Sequence, residues 1–260
     1  MNPKRGVRLP EARVPGDSGR LTFVVSRIRP IAWVMSLMAG LIVLLVSLPA
    51  TLRMALWHGL LVQRTLASLL LVFSLLAISL LWATGQRMDA WAFLWLNLRG
   101  RRPPWLDWMM LAITQLGSAI AVLAIALILF LANDRLLAYE LMLGALTLWL
   151  MVELVKALVR RSRPFIRLTQ ARIIGHRLNG RSFPSGHTSQ VFFTAMLMAQ
   201  HFHASAWLVF LLYAIALLVG ITRMYVGAHY PRDVLAGIIL GSAWGLLGGI
   251  ADRYVRIGSG

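Results

Sequence analysis

The sequence predicts an all-α fold: a polytopic transmembrane helical bundle of six or seven spans, with one interfacial amphipathic helix. Three observations predict it. Hydrophobic residues make up 59% of the 260-residue chain and the mean hydropathy is +0.73, which suits a polytopic membrane protein better than a soluble domain. The apolar residues fall in stretches of about 20, the length of helix that crosses the hydrocarbon of a bilayer. The 26 Lys and Arg, against 9 Asp and Glu, gather between those stretches, as basic residues do on the side of a membrane that retains them. In a soluble chain such an excess would point to nucleic acid. Here attraction to anionic lipid headgroups accounts for it, and it also suits a phosphate-bearing substrate. There are no cysteines, so disulfides and thiolate metal sites are excluded.

Residues 1–30 are rich in Pro, Gly and Arg and lack periodicity, and they read as a basic mobile tail. The apolar run 31–50 is too long for a signal-peptide core. With 66–84 it forms an N-terminal transmembrane hairpin over 31–84, and residues 85–254 form the main membrane domain. Trp91, Leu94, Trp95 and Leu98 recur at helical spacing with arginines behind them, the pattern of a short helix lying at headgroup level. The remaining spans are 107–132, 136–158, 188–204, 206–222 and 233–251. The last carries Gly237, Gly241, Gly245 and Gly249 on one face, a face that lets another helix approach closely. The 159–184 loop is the one extended polar segment and is dense in arginine. A loop of that length in a small membrane protein is functional or mobile.

Polar chemistry clusters at three helix ends. In KALVRRSRP, Lys156 leads Arg163 by seven residues, nearly two helical turns, so both cations fit one helix face before Pro164 stops the helix. In FPSGHT, Ser185, Gly186 and His187 open a span. A helix start offers unpaired N–H groups and the positive end of the macrodipole, and a glycine there lets an anion reach the backbone. In TRMYVGAHYPRD, Arg223 leads His229 by six residues and Asp233 follows by four. With Pro231 in the first turn of the last helix, Asp233 comes near enough to accept a hydrogen bond from one ring nitrogen of His229 and raise the basicity of the other. Taken singly, the first run reads best as a basic stop at a membrane edge and the third as a loop salt bridge, while the second reads equally as an ordinary Ser N-cap. Taken together they differ: alternating spans put all three ends on one side of the membrane, and ionisable groups gathered there are functional candidates.

In this order and spacing the three clusters resemble the type-2 phosphatidic acid phosphatase superfamily, whose pattern is K-x6-R-P, then P-S-G-H, then S-R-x5-H-x3-D. The chain has Lys156, Arg163 and Pro164, then Pro184 to His187, then Arg223, His229 and Asp233, and it departs from the pattern at Thr222, where the family has Ser. The resemblance covers about residues 89–251. It implies a membrane-embedded phosphatase acting through a phosphohistidine on a lipid phosphate or diphosphate in the bilayer. His229 would be the nucleophile, Asp233 its orienting group and His187 the general acid and base. Lys156, Arg163, Arg223, Ser185 and Gly186 would bind the phosphate oxygens. Phosphoryl transfer is mostly positioning and electrostatic stabilisation, and three fixed cations can do that work. With the nine acids scattered along the chain, no Mg²⁺ cage is visible, so the expectation is a metal-independent enzyme with no cofactor. A phosphotransferase could use the same site. A transporter would place polar groups near the midplane, and haloperoxidase chemistry does not suit seven apolar spans.

Other residues are set aside. His201 and His203, two apart, do not share a helix face, so a metal role is not expected. Glu153 is one turn before Lys156 and forms a structural ion pair with it. His58 and His176 have no partner visible in sequence. Seven spans place 21 of the 26 cations on the side of the site and 5 on the other, which favours a cytoplasmic site. Six spans would reverse this, and the family resemblance implies an outward-facing site.

Overall fold

Every regular element among the described residues is helical. The structure, a computed structural model, describes residues 30–98, 102–177 and 179–258, so the tail read from residues 1–30 lies outside it except for Pro30, which opens α1. Among the described residues, three helices are long and apolar enough to cross a membrane: α7 (Arg135–Val159), α10 (Ala206–Tyr225) and α11 (Pro231–Gly258). Pairs bent at a short break add up to three more: α1 (Pro30–Ser47) with α2 (Ala50–Val62), α3 (Arg64–Ser79) with α4 (Ala83–Leu98), and α5 (Pro104–Thr114) with α6 (Ala119–Leu131). The 16-residue α9 (Gly186–His201) runs through the middle of the bundle. Large apolar side chains such as Leu127, Leu131, Trp207 and Phe210 point outward, the surface a helical bundle offers to lipid.

The core sits where α6, α7, α9 and α11 meet, around Val122, Leu141, Leu148, Val152, Phe193, Leu197 and Leu240. The glycine face of α11 packs on α9. A Cβ at Gly237 would stand 2.8 Å from the Ser185 carbonyl, one at Gly245 would stand 2.5 Å from Met196 Cβ, and one at Gly241 would run into the Ser189 carbonyl. These glycines therefore set the separation of the two helices, as small residues do where lipid supplies no hydrophobic drive for association. Gln200 Nε2 donates to the Gly245 carbonyl across the seam at 2.9 Å.

Three local features differ from the sequence reading, and a fourth, the headgroup-level helix, agrees with it. The stretch between the first two apolar runs holds a helix, α2, turned 110° from α1. The expected single span 107–132 is two helices bent by 58°, joined by a 3-10 turn at Gln115–Gly117. Ser118 takes an extended conformation there and its Oγ accepts from Ala121 N at 3.3 Å, starting α6 afresh. The headgroup-level helix, α4, begins at Ala83 after a 97° turn from α3, with Trp91 and Trp95 outward and Asp89, Phe93 and Asn97 buried beneath. Finally, Lys156 and Arg163 do not share a helix face. Arg160 ends α7 in the left-handed region at φ 54°, and Arg163 is extended before the short α8 (Pro164–Arg167), because a residue preceding proline is steered away from helical backbone.

Candidate active site

The C-terminal ends of α7 and α10 and the N-terminal ends of α9 and α11 converge on one side of the bundle. Backbone hydrogen bonds stitch the intervening turns together. Ser182 N donates to the Arg161 carbonyl at 2.9 Å, Ser185 N to the Asp233 carbonyl at 3.0 Å, and Ala228 N and His229 N to the Arg223 carbonyl at 3.0 and 3.2 Å. The three polar clusters, 77 residues apart at their extremes from Lys156 to Asp233, thus share one framework.

His229 is 3% exposed at its centre. Its Nδ1 lies 2.7 Å from the Ser182 carbonyl, and its Nε2 lies 3.3 Å from Arg163 Nη1. A carbonyl only accepts and a guanidinium only donates, so the two contacts together fix the tautomer: Nδ1 carries the proton and Nε2 keeps its lone pair. Asp233 does not make the hydrogen bond expected of it, since its Oδ2 is 3.7 Å from Nδ1, beyond hydrogen-bonding range. That oxygen instead accepts from Tyr230 N at 2.8 Å, closing the first turn of α11 as a capping carboxylate does, and Oδ1 accepts from Arg161 Nη1 at 2.6 Å. The carboxylate still acts on the ring by its charge. Burial is the largest influence on His229 and disfavours the imidazolium. Asp233 opposes it, Arg163 and Arg223 reinforce it, and the ring is left with a pKa of about 3.

Arg163 and Arg223 are buried around this ring at 5% and 4% exposure. Arg163 Nη1 also donates to the Ala228 carbonyl at 3.0 Å, and Arg223 Nη1 to Thr114 Oγ1 at 2.8 Å. Their Nε–H groups are buried and have no hydrogen-bond partner among the described residues. Lys156 Nζ pairs with Glu153 Oε1 at 2.7 Å and lies 3.8 Å from where a Cβ on Gly186 would stand. Gly186 opens α9, and the Ser185 hydroxyl, 0% exposed, is 2.8 Å from that of Thr188 without capping the helix. His187 follows in the first turn, where the charges of Arg223, Lys156 and Arg163 act on its ring. Its backbone is packed against the bent span: a Cβ on Gly117 would stand 2.5 Å from the His187 carbonyl.

Lys156, Arg163, Ser185, Gly186, His187, Arg223, His229 and Asp233 are therefore brought to one place. The chain also brings four residues there that the sequence reading passed over. Ser182 acts through its carbonyl, which no side-chain pattern reveals, and Thr114 and Asp89 come from distant elements. Arg161 stood in the basic run beside Arg163 and could have been weighed as an ion-pair partner. A lone-pair nitrogen, three cations, a helix N-terminus and a second histidine suit attack on a tetrahedral oxyanion ester. Some of the acids that are scattered in sequence come together in space. Asp89 lies by the site. Asp134, Glu140 and Asp252 stand around His201 where α7 begins and α9 and α11 near their ends, on the opposite side of the bundle.

Comparison with known proteins places these observations. The PAP2 superfamily profile matches residues 135–251. The chain is 36% identical over 116 residues to the lipid A 1-phosphatase of Rhizobium johnstonii, covering 42% of this chain and 44% of that protein. It is 29% identical over 117 residues to the undecaprenyl-diphosphatase of Sulfolobus acidocaldarius, covering 45% of this chain and 56% of that protein. The chain thus spans about half the length of the curated relatives it matches. The structure is similar to the crystal structure of the transmembrane PAP2 type phosphatidylglycerolphosphate phosphatase from Bacillus subtilis, with a TM-score of 0.65 and 27% identity over 74% of this chain and 97% of that one. It is also similar to that of Aquifex aeolicus LpxE, with a TM-score of 0.55 and 27% identity over 60% and 92% of the two chains.

Proposed function

We propose that this chain, which belongs to the PAP2 superfamily through residues 135–251, is a membrane-embedded phosphatase that hydrolyses the phosphomonoester or diphosphate of a lipid through a phosphohistidine. The observation that carries the reading is the fixed tautomer of His229: Nδ1–H donates to the Ser182 carbonyl and the Nε2 lone pair is left among buried cations. Nε2 attacks phosphorus as the bond to the leaving oxygen breaks, and His187 supplies the proton that oxygen takes up. Water then attacks the phosphorus, the P–N bond breaks, and His187 accepts the proton from the water. The ring is positively charged while phosphorylated, and Asp233 at 3.7 Å stabilises that charge. Lys156, Arg163 and Arg223, with Ser185 and the Gly186 N–H, hold the non-bridging oxygens. The two unpartnered Nε–H groups suit a ligand with acceptor oxygens, because a buried donor left unpaired costs about 1–3 kcal/mol.

The position of the site at helix ends suits an amphipathic substrate whose tail stays among the lipids. The names of the similar proteins, acting on lipid A, an undecaprenyl diphosphate and phosphatidylglycerolphosphate, support a lipid phosphate as the substrate class. If the chain crosses seven times, with α9 as one of the crossings, the charge count of 21 against 5 places the site on the cytoplasmic side. The test is phosphate release by the purified protein from a panel of lipid phosphates and diphosphates, with a chelator present throughout. Release from at least one, inhibited competitively by orthovanadate, is expected. No release from any of them would overturn the activity. Activity lost to the chelator and restored by Mg²⁺ would overturn the metal-free mechanism.

A further inference from the structure

Arg161 lies at the centre of a chain of four alternating charges that ends beside the nucleophile. Asp89, on α4, is 4% exposed. It accepts from Arg232 N at 3.0 Å, from Arg232 Nε at 3.2 Å, and from Arg161 Nη2. The other terminal nitrogen of Arg161 donates to Asp233 Oδ1 at 2.6 Å, and the guanidinium stacks 4.1 Å from the Tyr230 ring centroid. Only an arginine can give one terminal nitrogen to each of two carboxylates while lying flat on an aromatic face. The main chain of Arg161 matters as well: its carbonyl accepts from Ser182 N, and the Ser182 carbonyl is the acceptor for His229 Nδ1. Both groups that face Nδ1 are thereby set by one residue, Asp233 through the Arg161 side chain and Ser182 through the Arg161 backbone.

Asp89 belongs to a stripe on α4. Phe93 meets the Tyr230 ring edge-on with centroids 5.7 Å apart. Asn97 donates to the Tyr225 carbonyl at 2.9 Å and accepts from Arg172 N at 2.8 Å. Spaced four residues apart, the three side chains clasp the turns that carry the site. Asp89 is the one that adds charge, and without it the buried Arg161 would be shared by Asp233 alone.

We infer that Asp89 and Arg161 are positioning residues for His229: α4 clamps the carboxylate of Asp233 and the carbonyl of Ser182 at their stations, and so aims Nε2 for attack. The inference rests on the phosphohistidine reading above.

The test compares wild type with Asp89→Asn, Arg161→Lys and the double variant, each full length and monodisperse in detergent. A shift of the nucleophile by a fraction of an ångström acts on the chemical step, so each single variant should lose on the order of 10-fold or more in kcat. KM should stay within about 2-fold, because the binding cations are untouched. Orthovanadate, which takes the geometry of the reacting phosphorus, should bind about 10-fold more weakly, while inorganic phosphate binds unchanged. The double variant should be no more than about 2-fold worse than the worse single, since both act along one path. An unchanged kcat in a folded Asp89→Asn protein, or losses that multiply, would overturn the inference. If Asp89→Asn does not fold, Asp89→Glu replaces it, with an intermediate kcat expected and a wild-type kcat overturning the proposal. A wild type that binds vanadate but releases no lipid phosphate removes the proposed function and leaves the vanadate comparison to decide. A wild type that does neither overturns both.

Discussion

The Nδ1–H of His229 is held by the carbonyl of Ser182 at 2.7 Å, while Asp233 stands off at 3.7 Å. A backbone acceptor thus sets the tautomer, and the carboxylate is left as a nearby charge bound mainly to Arg161 and to the first turn of α11. The two groups should then differ in what their loss does. His229→Ala removes the nucleophile and should abolish turnover in a protein that still extracts as a single species. Asp233→Asn keeps the tautomer, because Ser182 remains, and loses the charge that stabilises the phosphorylated ring. A kcat lower by on the order of 100-fold, with residual turnover, is expected. Equal and complete loss in both, measured as phosphate release, would return Asp233 to the role of sole orienting group.

The second prediction concerns protonation. Burial holds the His229 pKa down to about 3, with Asp233 acting against it and Arg163 and Arg223 acting with it. The ring should stay neutral from pH 8 down to pH 4, in the form that can attack. The unfolded chain takes up a proton at this histidine near pH 6.5, whereas the folded protein does not. The site therefore contributes stability that is present above pH 6.5 and diminishes as the pH falls from there toward 3. Of the six histidine ring signals followed by NMR between pH 4 and 8, the one removed by His229→Ala should not titrate. A midpoint near 6.5 for that signal would refute the environment described for it.

What was legible in the sequence is what local chemistry writes there. Apolar runs of membrane length, Pro231 in the first turn of α11, and glycines at every fourth position of that helix need no partner to be read, and α9 is found packed on the glycine face. Lys156, Arg163, Ser185, His187, Arg223 and His229 were legible as candidates because each lies at or beside a helix end, and alternating spans bring those ends together. The parts that were not legible are set by distant contacts. Gln115–Gly117 leaves the helical path where Gly117 meets the His187 carbonyl, a neighbour 70 residues away in the chain. Asp89 finds Arg161 and Arg232 across 72 and 143 residues. Arg160, with a side chain that favours helix, takes the left-handed region where α7 ends, and so Arg163 leaves the face of Lys156.

The glycine seam gives a stability prediction. A methyl group at position 241 would collide with the Ser189 carbonyl, which is part of the α9 backbone, and a backbone atom has no rotamer by which to move aside. Gly241→Ala should therefore push α9 and α11 apart and destabilise the protein by about 1–3 kcal/mol, the range for overpacking a tight interior. Gly40 has nothing within 4 Å of where its Cβ would stand, so Gly40→Ala serves as the control and should leave the melting temperature at or slightly above that of wild type. Thermal unfolding in detergent, followed by loss of monodisperse protein, reads both. Equal melting of the two variants would show that the seam tolerates the methyl.

The last prediction concerns the side of the membrane on which the site lies. Twenty-one of the 26 cations share the side of the site when the chain crosses seven times, counting the 1–30 tail, the 85–106 segment, the 159–187 loop with Lys156, and the turn before α11. Lys156, Arg163 and Arg223 are there for chemistry on the reading proposed above. Setting those three aside leaves 18 against 5, still a strong bias toward retention in the cytoplasm. The 110° turn between α1 and α2 is where the alternative would arise, because an α1 that enters and returns would leave six crossings and an outward site. The cysteine-free sequence permits a direct test with single cysteines at Asn2 and at Asn179, which is exposed in the loop whose main chain meets Arg163. In intact cells treated with a membrane-impermeant maleimide, both should be protected and both should label after the membrane is opened. Labelling at Asn179 in intact cells, with Asn2 protected, would mean six crossings and a site that meets its lipid from the outer face.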